Sequence, residues 1–198
     1  MTQHSISNPS VQQPAFAEIR SARLDLVPVT AESLRSQLGF GPRMHSALGA
    51  ALRAEVPAEW PHENWEQHVL EYLLNLISES PEASGWCRYL LLRHAGGRTL
   101  IGSFGCAFPK AETGEAELGY GLLPGWQRQG FAAEAVVAMI PWLQSQRPIR
   151  AFIAQTFPYL YGSIRVLEKC GFHPAGAGFE EGAVLYRREV SQIGSVSG

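Results

Sequence analysis

The sequence predicts a single α/β domain with one mixed, mostly antiparallel sheet and helices on both faces. The length of 198 residues suits one domain with a full hydrophobic core. Segments with helical spacing and segments with the two-residue alternation of strands are both present. In chain order, helices come first, an antiparallel meander second and a β-α-β-α-β run last. This order favours one sheet that is covered on both sides.

The first half of the chain is predicted to be mainly helical. Thr30 follows a short β-rich run and can cap a helix that Gly39 ends. Each proline disfavours a helix at the residue before it, so the segment 56–61 is predicted as a loop. A strand is predicted over 24–29. One helix is predicted to run from the Thr30 cap to Leu38, and two more are predicted over 45–55 and 64–78. The last of these has an apolar stripe of Trp65, Val69, Leu73 and Leu76.

The second half is predicted to hold most of the sheet. Gly96 and Gly97 mark a hairpin turn between two strands, and residues 109–114 form the next turn. Gly171 ends the last helix. The predicted strands cover 86–93, 99–108, 115–123, 150–155 and 184–188, and the predicted helices cover 131–144 and 161–170.

Composition narrows the class of protein. The net charge of −2 and the pI near 6.3 give no electrostatic reason to expect a nucleic acid as partner. No apolar run approaches the ~18 residues of a membrane span. The three cysteines are odd in number and far apart, which indicates buried thiols in a reducing cytoplasm. The segment 1–18 and the tail 191–198 are predicted to be disordered, which leaves 19–190 as the domain.

Several common site patterns are absent from the sequence. His62 and His68 are six residues apart and fall on different helical faces, and the other histidines are farther apart, so no metal site is predicted. The chain contains neither the G-x-G-x-x-G nor the G-x-x-x-x-G-K-[ST] pattern. Rossmann and P-loop nucleotide sites therefore have no support.

The strand predicted over 115–123 has an informative alternation. Ala116, Leu118, Tyr120 and Leu122 share the face that looks like core. Glu117, Gly119 and Gly121 share the other face, which pairs one carboxylate with two positions that lack side chains. Glycines inside a strand often mark the close approach of a ligand, although a solvent-facing strand with a bulge would give the same pattern.

The turn after this strand leads into a helix and is rich in backbone donors. At a helix start the first N–H groups have no partner within the helix, so they can bind a phosphate or pyrophosphate. The string Gln127-Arg128-Gln129-Gly130-Phe131-Ala132 has the form Q-x-x-G-x-A. Taken alone this string is also explained by a turn that simply needs glycine at Gly130.

The combination of motifs is more specific than any one of them. E-x-G-Y begins at Glu117, ten residues before Q-x-x-G-x-A, and T-x-P and S-I-R-V-L-E-K-C-G-F follow. In this order the motifs resemble the GNAT N-acetyltransferase superfamily over about Ile19 to Glu189. The resemblance is closest to the branch that contains the ribosomal-protein N-terminal acetyltransferases.

The resemblance implies an acyl-CoA N-acyltransferase fold, with acetyl-CoA as cosubstrate and no metal. It implies direct acetyl transfer to a primary amine of a small molecule or of a protein N-terminus. Glu117 matches the carboxylate often used as general base, usually through a water. Leu122 and Leu123 match the strand end that holds the pantetheine arm. The amides that hold the coenzyme pyrophosphate match Gln127, Arg128, Gln129, Gly130, Phe131 and Ala132.

Two positions depart from the family pattern. Leu167 stands where many members have a tyrosine that assists the departing thiolate. Ser163, one helical turn earlier, is the predicted replacement and also a predicted coenzyme contact, with Tyr161 as a further candidate. Leu160 stands where the family usually has an asparagine near the coenzyme, and an apolar side chain cannot supply the hydrogen bonds of an amide.

Two other functions remain open from the sequence. Leu160 motivates a non-catalytic acyl-CoA-binding module, and a protein that keeps the fold only for partner binding is the second rival. Trp60, His62 and Trp65 are expected to border the acceptor pocket or to pack as core. The acceptor and the oligomeric state are left open, with a homodimer as one possibility.

Overall fold

A computed structural model describes residues 16–38, 41, 43–63 and 65–190. The predicted disordered tail and most of the predicted N-terminal segment lie outside these residues. The strands are β1 (Ile19–Arg20), β2 (Leu24–Pro28), β3 (Cys87–His94), β4 (Gly97–Cys106), β5 (Glu115–Leu122), β6 (Ala151–Thr156), β7 (His173–Ala177) and β8 (Val184–Glu189). The helices are α1 (Ala31–Arg35), α2 (Met44–Leu52), α3 (Gln67–Glu79), α4 (Phe131–Gln146) and α5 (Tyr161–Lys169).

The strands form one eight-stranded sheet in the order β1-β2-β3-β4-β5-β6-β8-β7. Every neighbouring pair is antiparallel except β5 and β6, which are parallel. The parallel pair is joined by the crossover helix α4, as a parallel connection requires. The predicted fold class is confirmed.

A separate apolar core covers each face of the sheet. One core joins α4 and α5 to the sheet through buried residues that include Phe104, Leu118, Val136, Phe152 and Leu167. The other joins α1, α2 and α3 to the opposite face through residues that include Leu34, Leu48, Leu70, Tyr89 and Leu100. Strand β5 therefore presents its two faces to two different helical layers.

Each of the five predicted helices is present in the described residues, but the ends of the helices differ from the predicted ends. Thr30 forms a capping box with Ser33, but α1 ends at Arg35, three residues before the predicted end. In α3 the buried residues are Leu70, Leu73 and Ile77: Leu73 belongs to the predicted stripe, and the other two lie one position after the predicted Val69 and Leu76. Both sets lie within the same broad apolar face, and packing against the sheet selects its centre.

Strand β7 was not predicted. Its sequence, His173–Ala177, contains Pro174 and Gly176, which are poor strand formers, and its side chains are exposed. Proline is tolerated in a sheet chiefly on edge strands, and β7 is the last strand of this sheet. The region after residue 172 is therefore a β-hairpin, β7–β8, whose loop covers residues 178–183.

Candidate active site

The two parallel strands part after a short pairing. Glu115, Ala116 and Glu117 of β5 pair with Ala151, Phe152 and Ile153 of β6. Beyond Glu117, β5 continues alongside β4 to Leu122, and β6 continues alongside β8 to Thr156. A wedge-shaped gap in the sheet therefore opens at Glu117, where the backbone polar groups that face it can pair with an inserted ligand.

The predicted phosphate turn lies just beyond the end of β5. Arg128 and Gly130 both have positive φ, +59° and +85°, so the chain reverses sharply before α4 begins. Gly130 is the N-cap of α4, and no side-chain hydrogen bond caps this helix. The first amides of a 16-residue helix are thus open to an anion, with the helix dipole in support.

Arg23 braces this turn from the loop between β1 and β2. Its Nη1 donates to Gln129 O at 3.1 Å, its Nε forms an ion pair with Glu134 Oε2 at 2.7 Å, and its guanidinium lies 4.2 Å from the centroid of the Phe131 ring. Burial alone would raise the pKa of Glu134, but hydrogen bonds from Ser21 and Arg23 lower it below its usual value. The Gln129 carbonyl and the Glu134 carboxylate therefore have hydrogen-bond partners within the protein.

The other predicted coenzyme contacts lie next to this turn. Leu122 O accepts a hydrogen bond from Gln127 Nε2 at 3.0 Å. Leu123 is fully buried, and its N–H donates to Ile101 O at 2.9 Å, so this amide is used inside the protein. Phe131 and Ala132 bury their side chains in the core while their backbone begins α4. Their amides, rather than their side chains, are the groups that can face a ligand.

Beside Glu117 the same face of the sheet has no side chain at Gly119, and we call this open space the depression. Gly119 of β5 and Gly105 of β4 are cross-strand partners on the face that carries Glu117. A Cβ built on Gly119 would have no heavy atom within 4 Å. At one end of the depression, Glu117 Oε1 accepts a hydrogen bond from Gln155 Nε2 at 2.8 Å.

His62 closes the other end of this depression. Its ring lies directly over Gly121, where a Cβ would come within 2.5 Å of the ring, and its Nε2 shares a hydrogen bond of 2.7 Å with Ser103 Oγ. Burial lowers the pKa of His62 to about 4, so the ring is neutral at physiological pH. Trp60 and Trp65 pack beside it in the buried core.

A buried amide fixes these two tryptophans. Gln37 Oε1 accepts from Trp60 Nε1 at 2.9 Å and from Trp65 Nε1 at 3.0 Å, while Gln37 Nε2 donates to Tyr89 OH at 2.7 Å. All of these side chains are buried. The segment that carries His62 is therefore held rigidly over the sheet.

Ser163 lies on the opposite side of β5 from Glu117. Tyr120 OH donates to Ser163 O at 3.2 Å and lies 3.4 Å from Ser163 Oγ. Burial raises the pKa of Tyr120 to about 12, so its phenol stays protonated. Tyr161 is 71% exposed, and Leu160 is the N-cap residue of α5 without a capping side chain. The alternation of β5 correctly indicated which face Tyr120 occupies, but not that its hydroxyl reaches α5.

The described part of the chain holds neither a metal-ligand cluster nor a membrane-spanning helix. Within residues 16–38, 41, 43–63 and 65–190, no group of three or more His, Cys, Asp or Glu side chains is arranged to hold a metal ion. In the same part of the chain, no helix is both long and apolar enough to cross a membrane.

Comparison with known proteins gives a family match. The model of the family described as "Acetyltransferase (GNAT) domain" matches residues 23–173. A curated relative from Bacillus subtilis (strain 168), described as the uncharacterized N-acetyltransferase YjdG, is 23% identical over 128 residues, which cover 65% of this chain and 74% of the relative.

Solved structures of acetyltransferases share the fold. RimL, the ribosomal L7/L12 alpha-N-protein acetyltransferase, in complex with coenzyme A, has a TM-score of 0.57 at 18% identity, covering 88% of this chain and 98% of that one. The microcin C7 self-immunity acetyltransferase MccE, in complex with acetyl-CoA and AMP, has a TM-score of 0.57 at 13% identity, covering 90% and 98%. At these identities the likeness establishes the fold.

Proposed function

Because the chain belongs to the acetyltransferase (GNAT) family, we propose that it is an acetyl-CoA-dependent N-acetyltransferase acting on a primary amine. The observation that carries this proposal is the parting of β5 and β6 beside the uncapped start of α4. An open gap between two strands and a helix start that can bind an anion therefore lie next to the Glu117 carboxylate.

The residues at the wedge suit the coenzyme. The amides of the turn 127–132 would hold the pyrophosphate, since Gly130 has no Cβ to block close approach. The edges of β5 and β6 beyond Glu117 would pair with the pantetheine amides. Acetyl-CoA would supply the acetyl group as a thioester. The bound coenzymes of RimL and MccE support this choice of ligand.

Glu117 is the proposed proton acceptor. A primary ammonium has a pKa near that of lysine, about 10, so it must lose a proton before its nitrogen can attack. The carboxylate lies at the point where the wedge opens and borders the depression. Glu117 would take the proton, directly or through a water, and the neutral amine would attack without a covalent enzyme intermediate.

Ser163 is the proposed partner of the departing sulfur. It lies on the α4–α5 side of β5 with Tyr120, whereas Glu117 lies on the α1–α3 side. The amine would thus enter from one side of the sheet, and the sulfur would find its hydrogen-bond donor on the other. Tyr120 holds Ser163 in place and supplies a second hydroxyl nearby.

The acceptor would occupy the depression between Glu117 and His62. These groups flank Gly119 along β5, and the distance from residue 117 to residue 121 is about 13 Å at the rise of an extended strand. A primary amine of a small molecule or of a protein N-terminus would fit such a cleft. We also propose that the chain belongs to the branch of the ribosomal-protein acetyltransferases, because its motifs between Glu117 and Phe172 are most similar to that branch.

The test compares Glu117→Gln with Glu112→Gln, an exposed carboxylate on the neighbouring turn. We expect both variants to bind acetyl-CoA by calorimetry like the parent. Transfer to a panel of amines should fall about 10²–10⁴-fold in Glu117→Gln alone. A parent that binds acetyl-CoA but acetylates no amine would favour the non-catalytic binding module. A parent that does not bind the coenzyme would overturn the proposal.

A further inference from the structure

We propose that Gln155 is a positioning residue, which orients the Glu117 carboxylate and is itself fixed by the backbone of the β7–β8 loop, residues 178–183. The proposal rests on the proposed role of Glu117 as the proton acceptor. It adds Gln155, and a loop that is distant from Glu117 in sequence, to the set of residues on which the proposed reaction depends.

Gln155 contacts Glu117 directly. Gln155 lies on β6, two residues beyond Ile153, which is the last residue to pair with β5. Ile153 is the partner of Glu117, so Gln155 lies on the same face of the sheet as the carboxylate. Its Nε2 donates to Glu117 Oε1 at 2.8 Å across the opening wedge.

The β7–β8 loop fixes the orientation of the Gln155 amide. Gln155 Oε1 accepts hydrogen bonds from the backbone N–H groups of Phe179 and Glu180, the latter at 3.3 Å. Two donors at this position require the oxygen there, because an NH₂ group would face them with its own hydrogens. The loop therefore directs the NH₂ group of Gln155 towards Glu117.

The contact with Gln155 engages one of the two oxygens of the Glu117 carboxylate. Within the described residues, Glu117 Oε2 accepts no hydrogen bond from the protein. Gln155 thus fixes one oxygen of the carboxylate and leaves the second available to an incoming ammonium or water. A base that is held in this way needs less reorganisation before it can accept a proton.

The loop is shaped for this contact. A Cβ on Gly178 would lie 2.8 Å from Gln155 Oε1 and 2.7 Å from Ala183 Cβ. Glycine at 178 therefore lets the loop backbone reach the amide, while Gly178 N donates to Ala183 O at 2.8 Å to close the loop. Lys110 Nζ, 4.9 Å from the centroid of the Phe179 ring, ties the loop to the turn before β5.

The test is a double-mutant cycle in the full chain. Gln155→Met keeps the length of the side chain and removes both hydrogen-bonding functions, and Gln144→Met on the exposed side of α4 is the matched control. We expect kcat to fall roughly tenfold or more in Gln155→Met, with an unchanged Kd for acetyl-CoA and no change in Gln144→Met. In the Glu117→Gln background, Gln155→Met should cause no further loss.

A second variant reaches the same contact from the loop. Gly178→Ala should lower kcat in the same direction, again only when Glu117 is present. Thermal melts and acetyl-CoA binding identify any variant that has lost its fold. The inference about Gln155 would be overturned if kcat of Gln155→Met stayed within twofold of the parent. It would also be overturned if Gln155→Met caused an equal loss in the Glu117→Gln background. Neither outcome would affect the proposed role of Glu117. A fully active Glu117→Gln protein would overturn the proposed base as well.

Discussion

Replacing Gly121 by alanine should destabilise the fold, whereas the same change at Gly119 should not. A Cβ at Gly121 would lie 2.5 Å from Cε1, 2.7 Å from Nδ1 and 2.9 Å from Nε2 of His62. Ordinary contacts between such atoms are about 3.5–4.0 Å, so the ring would have to move by roughly 1 Å. The ring cannot move easily, because it packs against Trp60 and Trp65 and is hydrogen-bonded to Ser103.

The size of the effect follows from this crowding. Overpacking of a well-filled site typically costs about 1–3 kcal/mol. At roughly 2–4 °C per kcal/mol for a chain of this length, the melting temperature should fall by about 2–12 °C. Gly119 lies on the same strand and face with no neighbour within 4 Å, so Gly119→Ala should change stability by less than about 0.5 kcal/mol. It should instead reduce acetyl transfer by filling the depression.

The assay is thermal and urea unfolding of both variants, alone and in a His62→Ala background. Removing the imidazole removes the clash, so Gly121→Ala should cost almost nothing in that background. Equal stability of the Gly121→Ala and Gly119→Ala proteins would refute the reasoning. An undiminished cost of Gly121→Ala in the His62→Ala background would show that the imidazole is not its source.

Three further outcomes are expected. The pKa of His62 falls from 6.5 in the unfolded chain to about 4 in the folded protein, so the unfolded state binds the extra proton below pH 6.5. The free energy of unfolding should therefore drop by about 2 kcal/mol more between pH 7 and pH 5 in the parent than in His62→Gln, measured by urea unfolding. Gly130→Val should bind no acetyl-CoA by calorimetry while its circular dichroism stays that of a folded protein, since a branched side chain at φ +85° blocks the turn; retained affinity would contradict this. Leu160→Asn should tighten acetyl-CoA binding a few-fold by supplying an amide at the start of α5, and calorimetry showing no gain would count against a coenzyme contact there.

The local backbone geometry at the centre of the candidate site could be predicted because its signals are local. The alternation of Glu117, Gly119 and Gly121 indicated which face of β5 carries the carboxylate, and the glycine before an apolar run indicated the turn and the start of α4. The structure places a positive φ at Gly130, as a sharp turn before a helix requires. Neighbouring residues carry all of this information, so one sequence was enough.

The rest of the site depends on contacts between distant segments. His62 and Ser103 are 41 residues apart, and Gln155 and Phe179 are 24 residues apart. No spacing rule links such pairs, since only the folded sheet brings them together. Tyr120 shows a second limit of prediction from the sequence. Alternation assigned its ring to the core, but it could not indicate that its hydroxyl contacts Ser163.

The limited parallel pairing explains why the candidate site lies where it does. Three residues of β5 pair with β6, after which β4 and β8 direct the two strands apart. Backbone N–H and C=O groups that face such a gap have no partner on a neighbouring strand there, so they can pair with an inserted ligand. Alternation along β5 places Glu117 on the α1–α3 face, and the packing of α5 places Ser163 beside Tyr120 on the α4–α5 face. A group held in the wedge would therefore have the proposed proton acceptor on one side and the proposed hydroxyl donor on the other, as the proposed transfer of an acetyl group from a thioester to an amine would use them.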